Sequence, residues 1–390
     1  MAMNRFQAGS FVLLAVTAGC GDDATTSGGS GGSGGAEAGS IEVQISGEEA
    51  GTDGFLFPSG SEVTFSDGWE LVFDHVLVTV GSVTISANPD TAPSDQSQTG
   101  EDVANAEGPW AVDLAIEGSV PGAGGEGTAV PLATITSQNL KGDAAFATDE
   151  RYAFSFELVE AIAGATKVNF DGDEAAVAAY DDAVAQGCAV LYVGKATFKG
   201  TDCDVSDEAY DFAAIPTEVP FRLCFKTPTH YRNCQNEENQ GEPFPDEEFQ
   251  RGISIKSNEP SIAQLTLHLE HAWYSDVEHE PSIHFDQYAA QLVGEPEGTV
   301  LTTDALVGLD PTAFTDGAGL ALPWRTCDGT AVPSGDRNFG TGSIPIGPGQ
   351  APSDGFRDYA DYAAYVLSTL GHLNGGEGLC YIDRMYSSPQ

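Results

Sequence analysis

Ile41 to Ser46 (IEVQIS) alternates apolar and polar residues strictly, the period of a half-buried strand. Val63 to Phe65 runs into the turn Ser66-Asp67-Gly68, and Trp69 to Phe73 emerges from it, which predicts a hairpin. Val76 to Ile85 is almost continuously β-branched or apolar apart from Gly81-Ser82, as expected of a strand buried on both faces. Further strands are predicted at Trp110 to Ile116, Val130 to Thr136, Tyr152 to Val159, Ala189 to Phe198, Val219 to Phe225, Ile253 to Ile255 and Ala263 to His271. Gly- and Pro-rich loops separate them, the longest at Ala87 to Gly108 and Gly118 to Gly127. Two helices are predicted. Glu174 to Gln186 has Asp173 as N-cap, a Val177, Tyr180, Val184 stripe and Gly187 as its stop, and Phe356 to Leu370 has Tyr359, Tyr362, Val366 and Leu370 at helical spacing. Many strands with few helices predict a mainly β fold, an antiparallel β-sandwich-like domain with loop insertions.

The N-terminus carries an address. Arg5 precedes the apolar run Phe11 to Ala18, and Gly19-Cys20 follows, the three-part layout of a secretory signal. A cysteine directly after small residues resembles the lipobox of bacterial lipoproteins, which implies lipidation at Cys20, although Thr17 stands where Leu is usual. Gly21 to Ser40 has the composition of a flexible tether. Gly21 stands where an Asp would retain such a lipoprotein at the inner membrane, so the expected location is the outer membrane, facing the periplasm or the cell surface. The expected organisation is a signal peptide at 1–19, lipidated Cys20 and tether at 20–40, a β-rich domain at 41–300, and a helix-bearing extension at 301–390 packed on it.

Six further cysteines, Cys188, Cys203, Cys224, Cys234, Cys327 and Cys380, predict three disulfides in an exported chain. Pairing between sequence neighbours is the simplest of the fifteen connectivities, with Cys224 and Cys234 closing a short loop and Cys327 joined to Cys380. None is spaced as CxxC, which argues against thioredoxin-like chemistry and cysteine-rich zinc sites.

Charge narrows the partners. With 59 acidic against 15 basic side chains and a net charge of -44, the chain lacks the clustered cations that a phosphate backbone requires, so nucleic acid is excluded. Divalent cations and basic partners are attracted instead.

Catalytic motifs fail on inspection. The GxSxG matches at Gly28 to Gly32 and Gly31 to Gly35 lie in the tether, and His279 to His284 has the wrong spacing and an intervening Pro281 for a zinc-protease helix. The concentration of chemistry is Gln264 to Tyr288 (QLTLHLEHAWYSDVEHEPSIHFDQY), which holds His268, His271, His279 and His284, four of the seven histidines. On a strand, His268 and Glu270 share one face, and His271 points away unless a bulge re-aims it. A hairpin through Asp276 to Pro281 would then bring His284 and Asp286 against them. Imidazoles with carboxylates suit Zn, Cu, Ni, Fe or Mn. The ligand candidates are therefore His268, Glu270, His271, Asp276, His284 and Asp286, with His75 a weaker one. The same pattern also fits a surface hairpin whose imidazoles hydrogen-bond to Asp and Glu.

This segment resembles a group of Gram-negative lipoproteins that carry an HxDHxFxD-like phrase and then an acidic-aromatic segment ending in Arg-Phe or His-Phe. The matching residues are His268, Glu270 in place of Asp, His271, Trp273 in place of Phe, Asp276 and His284-Phe285. Asp67-Gly68-Trp69, Phe73-Asp74-His75, Arg251-Gly252-Ile253 and Gly187 to Ala196 extend the likeness over most of residues 60 to 310. The resemblance implies a lipoprotein and no activity. The calcium loop of some relatives is lost here at Gly294 to Thr303.

Three functions fit these readings. The first is a lipid-anchored protein that binds a transition metal. The second is a structural or adhesive surface lipoprotein that binds a protein or glycan through Ala87 to Gly127. The third is a metal-dependent enzyme with Glu280 as its base.

Overall fold

Trp69–Ser86 runs as one strand of 18 residues, joining two segments that the sequence separates. This is seen in a computed structural model that describes residues 39–58, 63–125, 127–239, 241–245, 247–276, 282–339 and 356–386. The signal segment, Cys20, nearly all of the tether, His279 and Glu280 lie outside the described residues. Gly81 sits where the register against Asp102–Asp113 shifts between Val80 and Ser82, a bulge that lets the long strand bend without breaking. Both faces of this strand are buried, as its composition predicts. Val76, Val78, Val80, Val83 and Ile85 enter the main core, while Leu77 enters a smaller cluster with Ala111, Leu191 and Tyr180.

The smaller cluster exists because the helix Glu174–Gln186 lies over that outer face. Asp173 caps it by accepting from the Ala175 amide, and Gly187 ends it in the left-handed conformation. Its buried stripe is Ala176, Ala179, Tyr180 and Ala183 rather than the expected valines, since small residues allow close approach to the sheet. The second helix, Tyr359–Leu367, is shorter than predicted and is capped by Asp358.

Among the described residues, Trp69–Ser86 is central to a ten-stranded sheet, and a five-stranded sheet contains Ile41–Ser46 and Ser261–Leu267. Most pairs are antiparallel, but Ile41–Ser46 and Ser261–Leu267 run parallel. Ile41, Val43, Ile45, Leu265 and Leu267 share one core with Phe73, Phe156, Tyr192 and Phe221 of the larger sheet. The mainly β, sandwich-like fold expected from the sequence is therefore observed.

Three local expectations are corrected. Val63 to Phe65 does not pair with Trp69 to Phe73; Phe65 bridges Ile283, because the Asp67 carboxylate accepts from the Phe285 and Asp286 amides and draws the turn toward them. The strand predicted to reach His271 ends at Leu267. The disulfides join Cys188 to Cys224, Cys203 to Cys327 and Cys234 to Cys380. Neighbour pairing fails because Cys224 enters the helix-side cluster with Cys188, while Cys234 enters the main core with Cys380.

The segment beyond residue 300 supplies strands to both sheets. Leu301–Thr302 pairs with Glu218–Phe225 and Tyr381–Arg384 with Thr229–Arg232 in the larger one, while Gly371–Leu373 pairs with Ser261–Leu267 in the smaller. That last pairing carries residues about a hundred positions apart to one place.

Candidate metal centre

Two backbone events place the histidines. After Leu267 the chain leaves the sheet: the His268 amide donates to the Leu370 carbonyl at 2.8 Å, and Leu269–Trp273 winds into a 3-10 turn. With about three residues per turn, His268 and His271 fall on one side, their ring centroids 5.7 Å apart. A bulge is therefore not needed to re-aim His271. Trp273 fixes the turn from behind. It is fully buried, with ring centroids of Phe55, Phe65, Phe73 and Tyr192 at 5.6, 5.5, 6.1 and 5.6 Å.

The third histidine comes from Gly371–Leu373. His372 is opposite Thr266 in the antiparallel register, so its ring lies diagonally beside His268, stacked at 4.4 Å between centroids. One ligating atom from each of His268, His271 and His372 lies within 4.8 Å of the other two. Three atoms at that spacing sit about 2.8 Å from their common centre, against about 2.1 Å for a Zn–N bond, so closure needs shifts of only about 0.7 Å.

Hydrogen bonds decide which nitrogens converge. His372 Nδ1 lies 3.2 Å from the Gly378 carbonyl, which can only accept, so Nδ1 carries the proton and Nε2 the lone pair. His271 Nδ1 lies 2.6 Å from Thr369 Oγ1, and the Thr369 hydroxyl donates its proton to the Val366 carbonyl at 2.7 Å. The hydroxyl oxygen must then accept from Nδ1, leaving the lone pair on Nε2 of His271 as well. His268 Nδ1 faces Glu270 Oε1 at 3.2 Å. A second shell that fixes Nδ1–H and presents Nε2 is the arrangement by which metal-ligating histidines are oriented. Nε2 of His372 is buried without a hydrogen-bond partner, an expensive condition unless another group satisfies it, and Nε2 of His268 faces only Glu48 Oε1 at 3.4 Å.

The electrostatics are uneven. Burial lowers the tendency of His268 to take a proton, but the carboxylates of Glu270 and Glu48 reverse this and hold its pKa well above the usual imidazole value. Burial pushes His372 well below that value, and the neighbouring His268 and His271 push it further. Glu237, at the edge of the site, is raised by burial and by Glu377 and Glu238. The loop carrying Glu377 closes tightly: a Cβ on Gly376 would lie 2.9 Å from His268 Cε1 and 3.1 Å from Nε2.

The fold thus brings His268, Glu270 and His271 together and adds His372, Glu48 and Thr369. It does not bring the other sequence candidates there. A short antiparallel bridge does join Tyr274 to Ile283, but it delivers His284 and Asp286 elsewhere. His284 packs against Trp324 at 5.1 Å between centroids. Asp286 accepts from Trp69 Nε1 at 2.8 Å and from the Arg325 guanidinium, with Arg337 Nη2 at 3.6 Å. Asp276 is exposed at the turn, where its carbonyl accepts from Tyr362 Oη at 2.9 Å. His75 pairs with buried Asp113, Nδ1 to Oδ2 at 2.8 Å, and is not a member of the histidine group. No family model matches the chain, and neither a curated protein nor a solved structure is found to match it.

Proposed function

We propose that this protein is an exported, lipid-anchored protein that binds a transition-metal ion through Nε2 of His268, His271 and His372. The observation that carries the reading is that three imidazoles bring one nitrogen each within 4.8 Å of the others, each with Nδ1 held by a different acceptor, and that Nε2 of His372 is buried without a hydrogen-bond partner. A structural hairpin of hydrogen-bonded histidines predicts satisfied nitrogens on both sides of each ring, a condition that His372 does not meet. Three imidazoles suit Zn, Cu, Ni, Fe or Mn and leave room for a further donor. Attachment through Cys20 and an outer-membrane location rest on the lipobox-like sequence, and capture or delivery of the metal is the task that fits an anchored binding protein. The test is elemental analysis of protein purified without a His tag. About one metal per chain is expected, lost in the His268→Ala/His271→Ala double variant, and unchanged stoichiometry in that variant overturns the reading.

A further inference from the structure

We infer that Glu48, distant in sequence from every histidine of the centre, supplies the fourth donor and makes the site an N3O centre for a divalent ion. This rests on the proposed function of the three histidines and adds the ligand that selects the metal.

Register brings Glu48 there. Ile41–Ser46 runs parallel to Ser261–Leu267 with Ser46 opposite Thr266, and two residues on, just past the ends of both strands, Glu48 stands beside His268. Its carboxylate Oε1 stands 3.4 Å from His268 Nε2, the atom that points to the centre. The contact is at ion-pair distance, close enough for one cation to be shared between the two atoms. The carboxylate lies outside the 4.8 Å group of the three imidazoles, so a side-chain rotation of the partly exposed Glu48 would close it on the ion.

The backbone at Glu48 is costly. Its φ is 55°, in the left-handed region that a side chain other than Gly, Asn or Asp rarely occupies. The turn is held by Ser46, whose hydroxyl accepts from the Glu48 amide at 2.9 Å and donates to the Thr128 carbonyl at 3.1 Å. Asn would adopt this conformation more readily, so a Glu here has a use for its carboxylate. Exposure agrees. His271 and His372 are buried, whereas the side chains of His268 and Glu48 are 16% and 20% exposed, so an ion arriving from solvent meets Glu48 first.

The donor set carries a selectivity. Three imidazoles and one carboxylate match a tetrahedral Zn2+ or a similar divalent first-row ion, whereas Cu+ is selected by soft sulfur donors. Glu270, at His268 Nδ1, then orients a ligand and is not one itself.

The test uses the full exported chain, stripped of metal and titrated with Co2+ and Zn2+ alone. Wild type should give one intense visible Co2+ band of four-coordinate type. Glu48→Asn should keep one site, weaken Zn2+ binding at least tenfold and lose band intensity as water replaces the carboxylate. Its metal-free melting temperature should be equal to or above that of wild type, an outcome that a purely structural Glu48 would not give. Glu237→Gln, which removes a charge at the mouth, should leave affinity and band unchanged. Loss of metal in His372→Ala with no change in Glu48→Asn overturns the role of Glu48 and leaves the histidine site standing. Equal effects of Glu48→Asn and Glu237→Gln also overturn it, by reducing the effect to net charge. A wild type that takes up neither ion overturns both readings.

Discussion

His268 and His372 stack at 4.4 Å between ring centroids, with 28° between their planes, although about a hundred residues separate them, one just past the strand Ser261–Leu267 and the other inside Gly371–Leu373. Two imidazoles in this contact bring two nitrogens into one small volume, the condition for a chelating pair. The stack depends on the pairing of Gly371–Leu373 with Ser261–Leu267.

Thr369→Val keeps the shape of the side chain and removes the acceptor for His271 Nδ1. Second-shell changes of this kind lower metal affinity by about 10–100-fold. Zinc competition against a chromophoric chelator should show that loss with stoichiometry preserved. Unaltered affinity would separate Thr369 from the orientation of His271.

Gly376→Ala tests close approach. Its Cβ would stand 2.9 Å from His268 Cε1, so the ring must move. Weakened zinc binding is expected with little change in melting temperature, because the displaced ring is partly exposed.

His284 provides a pH signature independent of the metal centre. It is buried, both ring nitrogens lack hydrogen-bond partners, and burial followed by the charge of Arg337 lowers its pKa to about 3. A folded-state value below the unfolded value of about 6.5 means that its neutral form is fully accommodated above pH 6.5. Stability is then lost progressively as pH falls from about 6.5 toward 3, because the unfolded chain takes the proton more readily. Urea denaturation in the presence of a chelator should show a shallower loss between pH 6.5 and pH 4 for His284→Leu than for wild type. Parallel profiles would show that His284 does not titrate on unfolding.

The buried pair of Asp67 and Asp286 depends on Arg325 and Arg337. Asp67 is raised well above the usual carboxylate range by burial and by Asp286, and the two guanidiniums oppose that. Arg337 is itself buried, donating to Gln287 Oε1 at 2.8 Å and to the Pro323 carbonyl at 3.1 Å. Arg337→Met removes one cation and should destabilise the fold by about 3–5 kcal/mol, the cost of a buried charge left without its partner. Metal stoichiometry at low denaturant should not change.

Much of the architecture was legible because local rules were sufficient. Asp173 and Gly187 bound their helix by capping chemistry alone, and Val76 to Ile85 announced burial on two faces by composition. The site was half legible. His268, Glu270 and His271 lie within four residues, and their clustering is visible in the sequence. His372 was not, since it follows the stop at Gly371 as a lone histidine in an apolar run, and only strand pairing brings it to Thr266. Glu48 was hidden for the same reason, one acid among 59. His284 and Asp286 were misplaced because a turn fixes which backbones meet, not which side of the hairpin their side chains serve; Arg325, Arg337 and Trp324 claim them. Disulfide pairing was likewise set by which core each cysteine enters, a property of the sheet faces and not of spacing.

Elemental analysis of His372→Ala beside His284→Leu, both purified without a His tag, tests the central claim most directly, because the two variants each remove one histidine from different places in the fold. The account predicts about one metal per chain in wild type and in His284→Leu, and none in His372→Ala. Metal retained in His372→Ala, or lost in His284→Leu while that variant remains folded, would contradict it.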